Sequence, residues 1–216
     1  MIRLHDYWRS GASYRVRIAL NLKGIPYESV PVDLRSGEQN SAEYGMLNPQ
    51  ELVPALELEG KILTQSPAIL EWLEERYPEP PLLPADPDAR AVVRAMAALI
   101  ACDIHPLNNL RVLSALRSEF AATDEQIQQW LARWTMSGFD ALETMAKVFG
   151  NGFAFGDTPT LADCHLVPQM YSAERFGIDL TPYPQLCAAA KRARALPAFD
   201  RASPVDAKKV LTGDAG

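Results

Sequence analysis

Apolar and polar residues alternate at the start of the chain, with Ile2 and Leu4 on one face, which predicts a short strand over residues 2–8. The period then lengthens. Val16, Ile18, Ala19, Leu20 and Leu22 predict a helix, and Lys23-Gly24 supplies a last-turn cation and a C-terminal stop. Tyr27 to Val32 reads as a second strand. Ala55 to Leu58 and Lys61 to Leu63 read as two more, joined by Glu59-Gly60 as a tight turn. A helix from Pro67 to about Arg76 follows and is closed by Pro78.

The order β-α-β, an irregular connection, then β-β-α predicts a thioredoxin-like α/β domain over residues 1–80. Five prolines among residues 78 to 87 exclude a helix or central strand and mark a linker. Beyond it the pattern is helical: Arg90 to about Leu116, Asp124 to about Val148, Leu161 to about Phe176, and Pro184 to about Ala195. The predicted fold is therefore an α/β thioredoxin-like N-terminal domain plus an all-α helical C-terminal domain spanning 88–216. The tail from Ser203 to Gly216 reads as frayed. Thr160 to Asp163 reads as a capping box at a helix start, and Lys191-Arg192-Ala193-Arg194 as a solvated basic helix end.

Composition narrows the classes. With 216 residues, the chain predicts two units of unequal size. A formal net charge of −6 weighs against nucleic acid as the main partner, since phosphate binding needs a basic face. No uncharged apolar run approaches the ~20 residues of a membrane span. Cys102, Cys164 and Cys187 are odd in number and lack Cys-x-x-Cys spacing, so they read as buried reduced thiols. The first residues enter a strand pattern without a leader-like segment, and the expectation is a soluble, cytoplasmic chain with no membrane partner.

Chemistry concentrates at three junctions. Tyr7 to Leu20 runs from a strand end into a helix start with Arg9 and Ser10 between them. A helix N-terminus favours an anion such as a thiolate, and Ser10 adds a hydroxyl donor; no cysteine lies there, so the thiol must be borrowed. Gln65-Ser66-Pro67 opens another helix, with Ser66 predicted as N-cap and Pro67 as the first helical residue, suited to receive a carboxylate. Gln50 to Ala55 carries Val53-Pro54 before a strand; a cis bond there would turn the Val53 backbone outward to pair with an extended peptide ligand.

These residues resemble the glutathione-binding domain of glutathione transferases, and Arg9-Ser10 through Leu20 is similar to the zeta class in particular. The likeness extends through Asn48-Pro49-Gln50, Val53-Pro54-Ala55-Leu56, Gln65 to Ile69, Gly156 to Cys164, and Leu166-Val167-Pro168-Gln169. It implies a glutathione cofactor held by Ser10, Gln50, Val53, Pro54, Gln65 and Ser66, and a homodimer. Where the class usually carries Ser-Ser-Cys, this chain has Ser10-Gly11-Ala12, which keeps the thiol-activating serine and loses a second thiol.

Cys102 to Arg111 is similar to bacterial maleylpyruvate isomerases of the zeta class. This implies that His105 and Asn109, four apart on one helix and aimed by a kink at Pro106, contact glutathione, with His105 also at the substrate. It further implies that Arg9, Arg111 and Arg175 grip a keto acid with two carboxylates, since guanidinium groups bind carboxylates bidentately. The implied reaction is cis–trans isomerisation of maleylpyruvate to fumarylpyruvate by addition of the thiolate, rotation and expulsion, with Ser10 and Arg9 as catalytic residues. Isomerisation of maleylacetoacetate, general glutathione transfer, and a non-catalytic protein of the same fold are the alternatives.

Overall fold

Four strands, β1 (Ile2–Asp6), β2 (Tyr27–Pro31), β3 (Ala55–Leu58) and β4 (Lys61–Thr64), form one mixed sheet in the order β2-β1-β3-β4. β1 and β2 are parallel, and α1 (Gly11–Leu22) is the crossover that a parallel pair requires. β3 runs antiparallel to both β1 and β4, so β1 and β4 point the same way. Ala55 lies opposite His5 on one side and Thr64 on the other. That row is the end of the sheet where β1 and β4 finish and β3 begins. Glu59 and Gly60 have φ of 51° and 75°, the left-handed pair that a two-residue hairpin turn needs.

α1 packs on α3 (Ser66–Arg76) against this sheet. Leu4, Val16, Ile18, Leu20, Leu56, Ile69, Leu70 and Leu73 are fully buried, each contributing about 1.5–3 kcal/mol by leaving water. A short helix, α2 (Ala42–Leu47), occupies the irregular connection. The proline-rich segment is tied down by Lys23, whose Nζ donates to the carbonyls of Tyr77 (2.6 Å) and Pro80 (3.0 Å) and pairs with Glu74 at 2.8 Å. Glu74 in turn accepts the Leu82 N–H.

The structure is a computed structural model and describes residues 1–212. They divide into one unit of Met1–Leu82 plus the chain from Arg194 onward, and a second of Leu83–Ala193. The sequence reading places all of 88–216 in one helical domain, and the C-terminal segment departs from it. α9 (Pro197–Arg201) packs on α1, where Asn21 Nδ2 donates to the Ala198 carbonyl at 3.0 Å and Arg17 Nε to that of Ala202 at 2.9 Å. Phe199 and Ala202 are completely buried. Nor is the tail from Ser203 frayed within the described residues: α10 (Pro204–Thr212) follows and lies against β2.

The second unit contains α4 (Pro87–Ala98), α5 (Leu110–Phe120), α6 (Asp124–Phe149), α7 (Leu161–Arg175) and α8 (Pro184–Arg194). The single helix expected from Arg90 to about Leu116 is broken. A π turn over Leu99–Ile104 passes into a 3₁₀ turn over His105–Asn108 before α5 starts. Pro106 has no N–H to return to the carbonyl four residues back and its ring crowds that carbonyl, so regular helix cannot pass through it. By length and composition alone Pro87–Phe120 could cross a membrane, though Asp88, Arg90, Arg94, Asp103, Arg111, Arg117 and Glu119 fall within it. α6 crosses this broken stretch at Gly138, where a Cβ would run into the Ile104 side chain.

α7 is buried on every side from Leu161 to Met170, with Asp163, His165 and Gln169 among its apolar residues. Its start is the expected capping box. Asp163 Oδ1 accepts the Ala154 N–H at 2.8 Å, and Oδ2 accepts the Thr160 N–H at 2.9 Å and its hydroxyl at 3.2 Å. Burial pushes the Asp163 carboxyl up to about 6 against the downward pull of these donors. The basic run at 191–194 is more than a solvated end, because the Arg192 guanidinium lies 4.8 Å over the Phe153 ring. Of the three free cysteines only Cys164 is buried; Cys187 is half-buried and Cys102 exposed, correcting the expectation.

Candidate functional site

Three loops leave the sheet just beyond the row His5–Ala55–Thr64, and each carries residues that the sequence singled out. The first runs from Asp6 to α1. Ser10 is the N-cap of this helix: its N–H donates to the Tyr7 carbonyl at 2.8 Å, and its Oγ accepts the Ser13 N–H at 3.2 Å. A helix start leaves N–H groups without intrahelical partners and carries partial positive charge. The Ser10 oxygen takes up one of those N–H groups, and its own proton is left to donate to an incoming anion. Arg9 beside it is exposed, with its guanidinium 5.3 Å over the Trp8 ring.

This turn is held from behind by Arg17, a residue that sequence reasoning missed. Arg17 is 1% exposed. Its Nη1 donates to both carboxylate oxygens of Asp6 at 2.7 and 2.8 Å, and its Nη2 donates to the Trp8 carbonyl at 3.0 Å. The strand end, the turn and α1 are thereby joined through one guanidinium. Two arginines, Arg15 and Arg17, inside an otherwise apolar helical run were the available signal.

The second loop precedes β3, and its Val53–Pro54 bond is cis, as the sequence reading required. Its approach is fixed by Asn48, which is 2% exposed: its Nδ2 donates to the Leu52 carbonyl at 2.6 Å and its Oδ1 accepts the Gln50 N–H at 3.1 Å. The Tyr44 hydroxyl donates to the same Leu52 carbonyl at 2.8 Å, and burial pushes that phenol up to about 12, so it stays a donor.

The third loop joins β4 to α3. Here the expected cap is displaced by one residue. Gln65 is the N-cap, with φ 67° and no side-chain cap bond, and buried Ser66 is already the first helical residue. The left-handed turn at Gln65 completes the change of direction before Ser66, which frees the Ser66 hydroxyl from capping. Its Oγ instead accepts from Nη1 of Arg15 at 3.3 Å. Gln65 Nε2 donates to Gln50 Oε1 at 2.5 Å, so the second and third loops are joined at their exposed rims.

Ser10, Gln50, Val53, Pro54, Gln65 and Ser66 are therefore on loops and a helix start at one end of one sheet. The arrangement offers two hydroxyls at two helix starts and a peptide edge, which suits a peptide-like ligand bearing a thiol and a carboxylate.

The remaining candidates belong to the second unit. His105 and Asn109 do not share a helical face: His105 heads the 3₁₀ turn, while Asn109 is extended, caps α5, and accepts the Arg111 N–H through Oδ1 at 3.1 Å. The turn itself is pinned to α6 by Trp130 Nε1 donating to the Leu107 carbonyl at 2.9 Å and Asn108 Nδ2 to Thr135 Oγ1 at 3.2 Å. Arg111 is exposed on the first turn of α5. Arg175 is exposed at the last turn of α7, its guanidinium 4.1 Å over the Phe176 ring.

Comparison with known proteins agrees with this geometry. Residues 9–76 match the glutathione S-transferase N-terminal domain and residues 95–197 the glutathione S-transferase C-terminal domain. Maleylpyruvate isomerase of Ralstonia sp. is 53% identical, covering 94% of this chain and 97% of the relative. Maleylacetoacetate isomerase of Pseudomonas aeruginosa is 50% identical, covering 95% and 97%. The holo structure of a maleylpyruvate isomerase, a bacterial zeta-class glutathione S-transferase, superposes with a TM-score of 0.93 at 53% identity over 94% of this chain and 97% of that one. With both of its halves matched and its fold reproduced, this chain belongs to the glutathione S-transferase family.

Proposed function

We propose that this chain is a glutathione-dependent isomerase that converts maleylpyruvate to fumarylpyruvate. The observation that carries the proposal is Ser10, a hydroxyl seated at a helix start with no protein thiol at that turn, in a chain 53% identical to a maleylpyruvate isomerase. The residues present fit glutathione. Ser66 and Gln65 stand at a second helix start able to take its γ-glutamyl carboxylate, and Val53 offers a backbone edge beside Pro54 for its cysteinyl unit.

When bound, glutathione supplies the nucleophilic sulfur that makes the substrate's double bond transiently single. The chain's part is electrostatic. Ser10 and the first N–H groups of α1 favour the ionised sulfur, and Arg9, exposed beside them, offsets negative charge developing on the substrate's keto oxygen. Arg9, Arg111 and Arg175 are the candidate carboxylate partners, with His105 and Asn109 as further contacts to cofactor or substrate. The chain acts as a homodimer in the cytoplasm, where the thiol pool is kept reduced. Light scattering gives about twice the 23.9 kDa chain mass on this reading, and the monomer mass refutes the dimer.

The 50% identity to a maleylacetoacetate isomerase favours a second reading, in which the longer keto acid is the substrate. One methylene in a pocket is worth only about 1–3 kcal/mol, so both acids should turn over with different efficiency. The test is to follow both isomerisations with glutathione far below substrate. Turnover beyond the glutathione supplied, with the higher kcat/KM for maleylpyruvate, is expected. A higher value for maleylacetoacetate reverses the assignment, and consumption of glutathione in step with substrate makes the protein a transferase.

A further inference from the structure

Arg15 is 2% exposed, lies in the apolar stretch of α1, and reaches across to α3, where its Nη1 donates to Ser66 Oγ at 3.3 Å. A guanidinium only donates, so Ser66 is the acceptor. A serine hydroxyl has one proton and two acceptor positions; with one acceptor position occupied by Arg15, the proton turns away from α1. Ser66 is also the first residue of α3, so its own N–H has no partner within that helix. Burying a guanidinium carries a desolvation penalty that an apolar side chain of similar length would avoid.

From this geometry we infer that Arg15 is a positioning residue for the carboxylate seat at Ser66. It fixes the hydroxyl as a donor, so that Ser66 presents O–H and N–H together to the α-carboxylate of the γ-glutamyl unit. This rests on the glutathione reading given above, and it assigns Arg15 no contact with the reacting atoms.

The test measures binding by calorimetry for the wild type, Arg15→Met, Arg15→Lys, Ser66→Ala and the double variant Arg15→Met/Ser66→Ala. Each is titrated with glutathione and with 4-aminobutyryl-cysteinylglycine, which lacks only the α-carboxylate. Arg15→Met should weaken glutathione about tenfold, as loss of a hydrogen bond to a charged group does, and leave the analogue unchanged. Lysine should restore part of the loss. In the Ser66→Ala background, Arg15→Met should cost glutathione binding less than it does alone, because the hydroxyl it orients is gone.

Equal losses for both ligands, additive losses for the two substitutions, or wild-type affinity in Arg15→Met would each overturn the assignment. If Arg15→Met fails to fold, Arg15→Lys and Ser66→Ala decide the same question through their selectivity between the two ligands. A wild type that binds the analogue as tightly as glutathione also overturns it, whereas one that binds neither removes the glutathione reading itself.

Discussion

Ser10→Ala separates two roles that one oxygen plays at the start of α1. The substitution removes the acceptor of the Ser13 N–H, and with it the cap, and it removes the only hydroxyl at that helix start proposed to donate to the cofactor's sulfur. A hydrogen bond to a charged acceptor contributes about 1.5–3 kcal/mol. Its loss raises the pKa of the bound thiol by about one to two units, since each unit corresponds to about 1.36 kcal/mol. The direction is upward because the neutral thiol gains nothing comparable from the hydroxyl. Turnover near neutral pH should then fall about 10- to 100-fold and recover as pH rises past the new value. The lost cap lowers stability by about 0.5–2 kcal/mol, read as a lower denaturant midpoint, and does not move the pH profile. The assay is ultraviolet titration of the thiolate in the enzyme–glutathione complex, paired with kcat at saturating glutathione over the same pH range. An unchanged thiol pKa together with undiminished kcat would refute the role given to Ser10.

Three further outcomes follow from the same structure. Arg17→Met leaves Asp6, which is fully buried, without its cation and should cost about 3–5 kcal/mol by urea unfolding; replacing both partners with apolar residues should recover much of it, and no recovery would mean that the Trp8 and Ala202 carbonyls matter more than the ion pair. Asp163 has a folded-state pKa of about 6, above its ordinary 3.8, so the unfolded chain loses that proton first and this group's stabilising contribution falls as pH rises from about 4 to 6, on the order of 3 kcal/mol; unfolding curves of wild type and Asp163→Ala should converge across that window, and parallel curves would exclude the shift. Arg111→Ala should reduce kcat/KM for maleylpyruvate more than for maleylacetoacetate; equal proportional losses would remove Arg111 as the discriminating contact.

Where local chemistry decides structure, the chain could be read directly. The hairpin at Glu59-Gly60, the capping box at Thr160 and the helix start at Ser10 each depend on residues within a few positions of one another, and each was found where expected. The misreadings share a different cause. Ser66 and Pro67 carry the residue types of a cap and a first helical position, but the left-handed φ at Gln65 shifts the count by one, and glutamine seldom signals that conformation. Pro106 predicted a kink, whereas the loss of its N–H is absorbed over ten residues as π and then 3₁₀ turns, which separates His105 from Asn109. Arg15 and Arg17 carry no role in the sequence reading because their partners Ser66 and Ala202 lie 51 and 185 positions away. No local pattern encodes such pairings. The same holds for the C-terminal segment, whose α9 packs against α1 and whose α10 lies against β2.

The place of α9 bears on how the chain comes off the ribosome. The carbonyls that Arg17 and Asn21 require are 185 and 177 residues downstream, so at about 5–20 residues per second α1 waits roughly ten to forty seconds for them. The unit from Leu83 to Ala193 is contiguous and has all of its residues before Pro197 emerges. The half begun second is thus the first that can close, and the half begun first is finished by a segment translated after it. Until then the newborn α1 exposes the apolar and cationic surface that α9 later covers, and it is over that interval that a nascent-chain chaperone would find it.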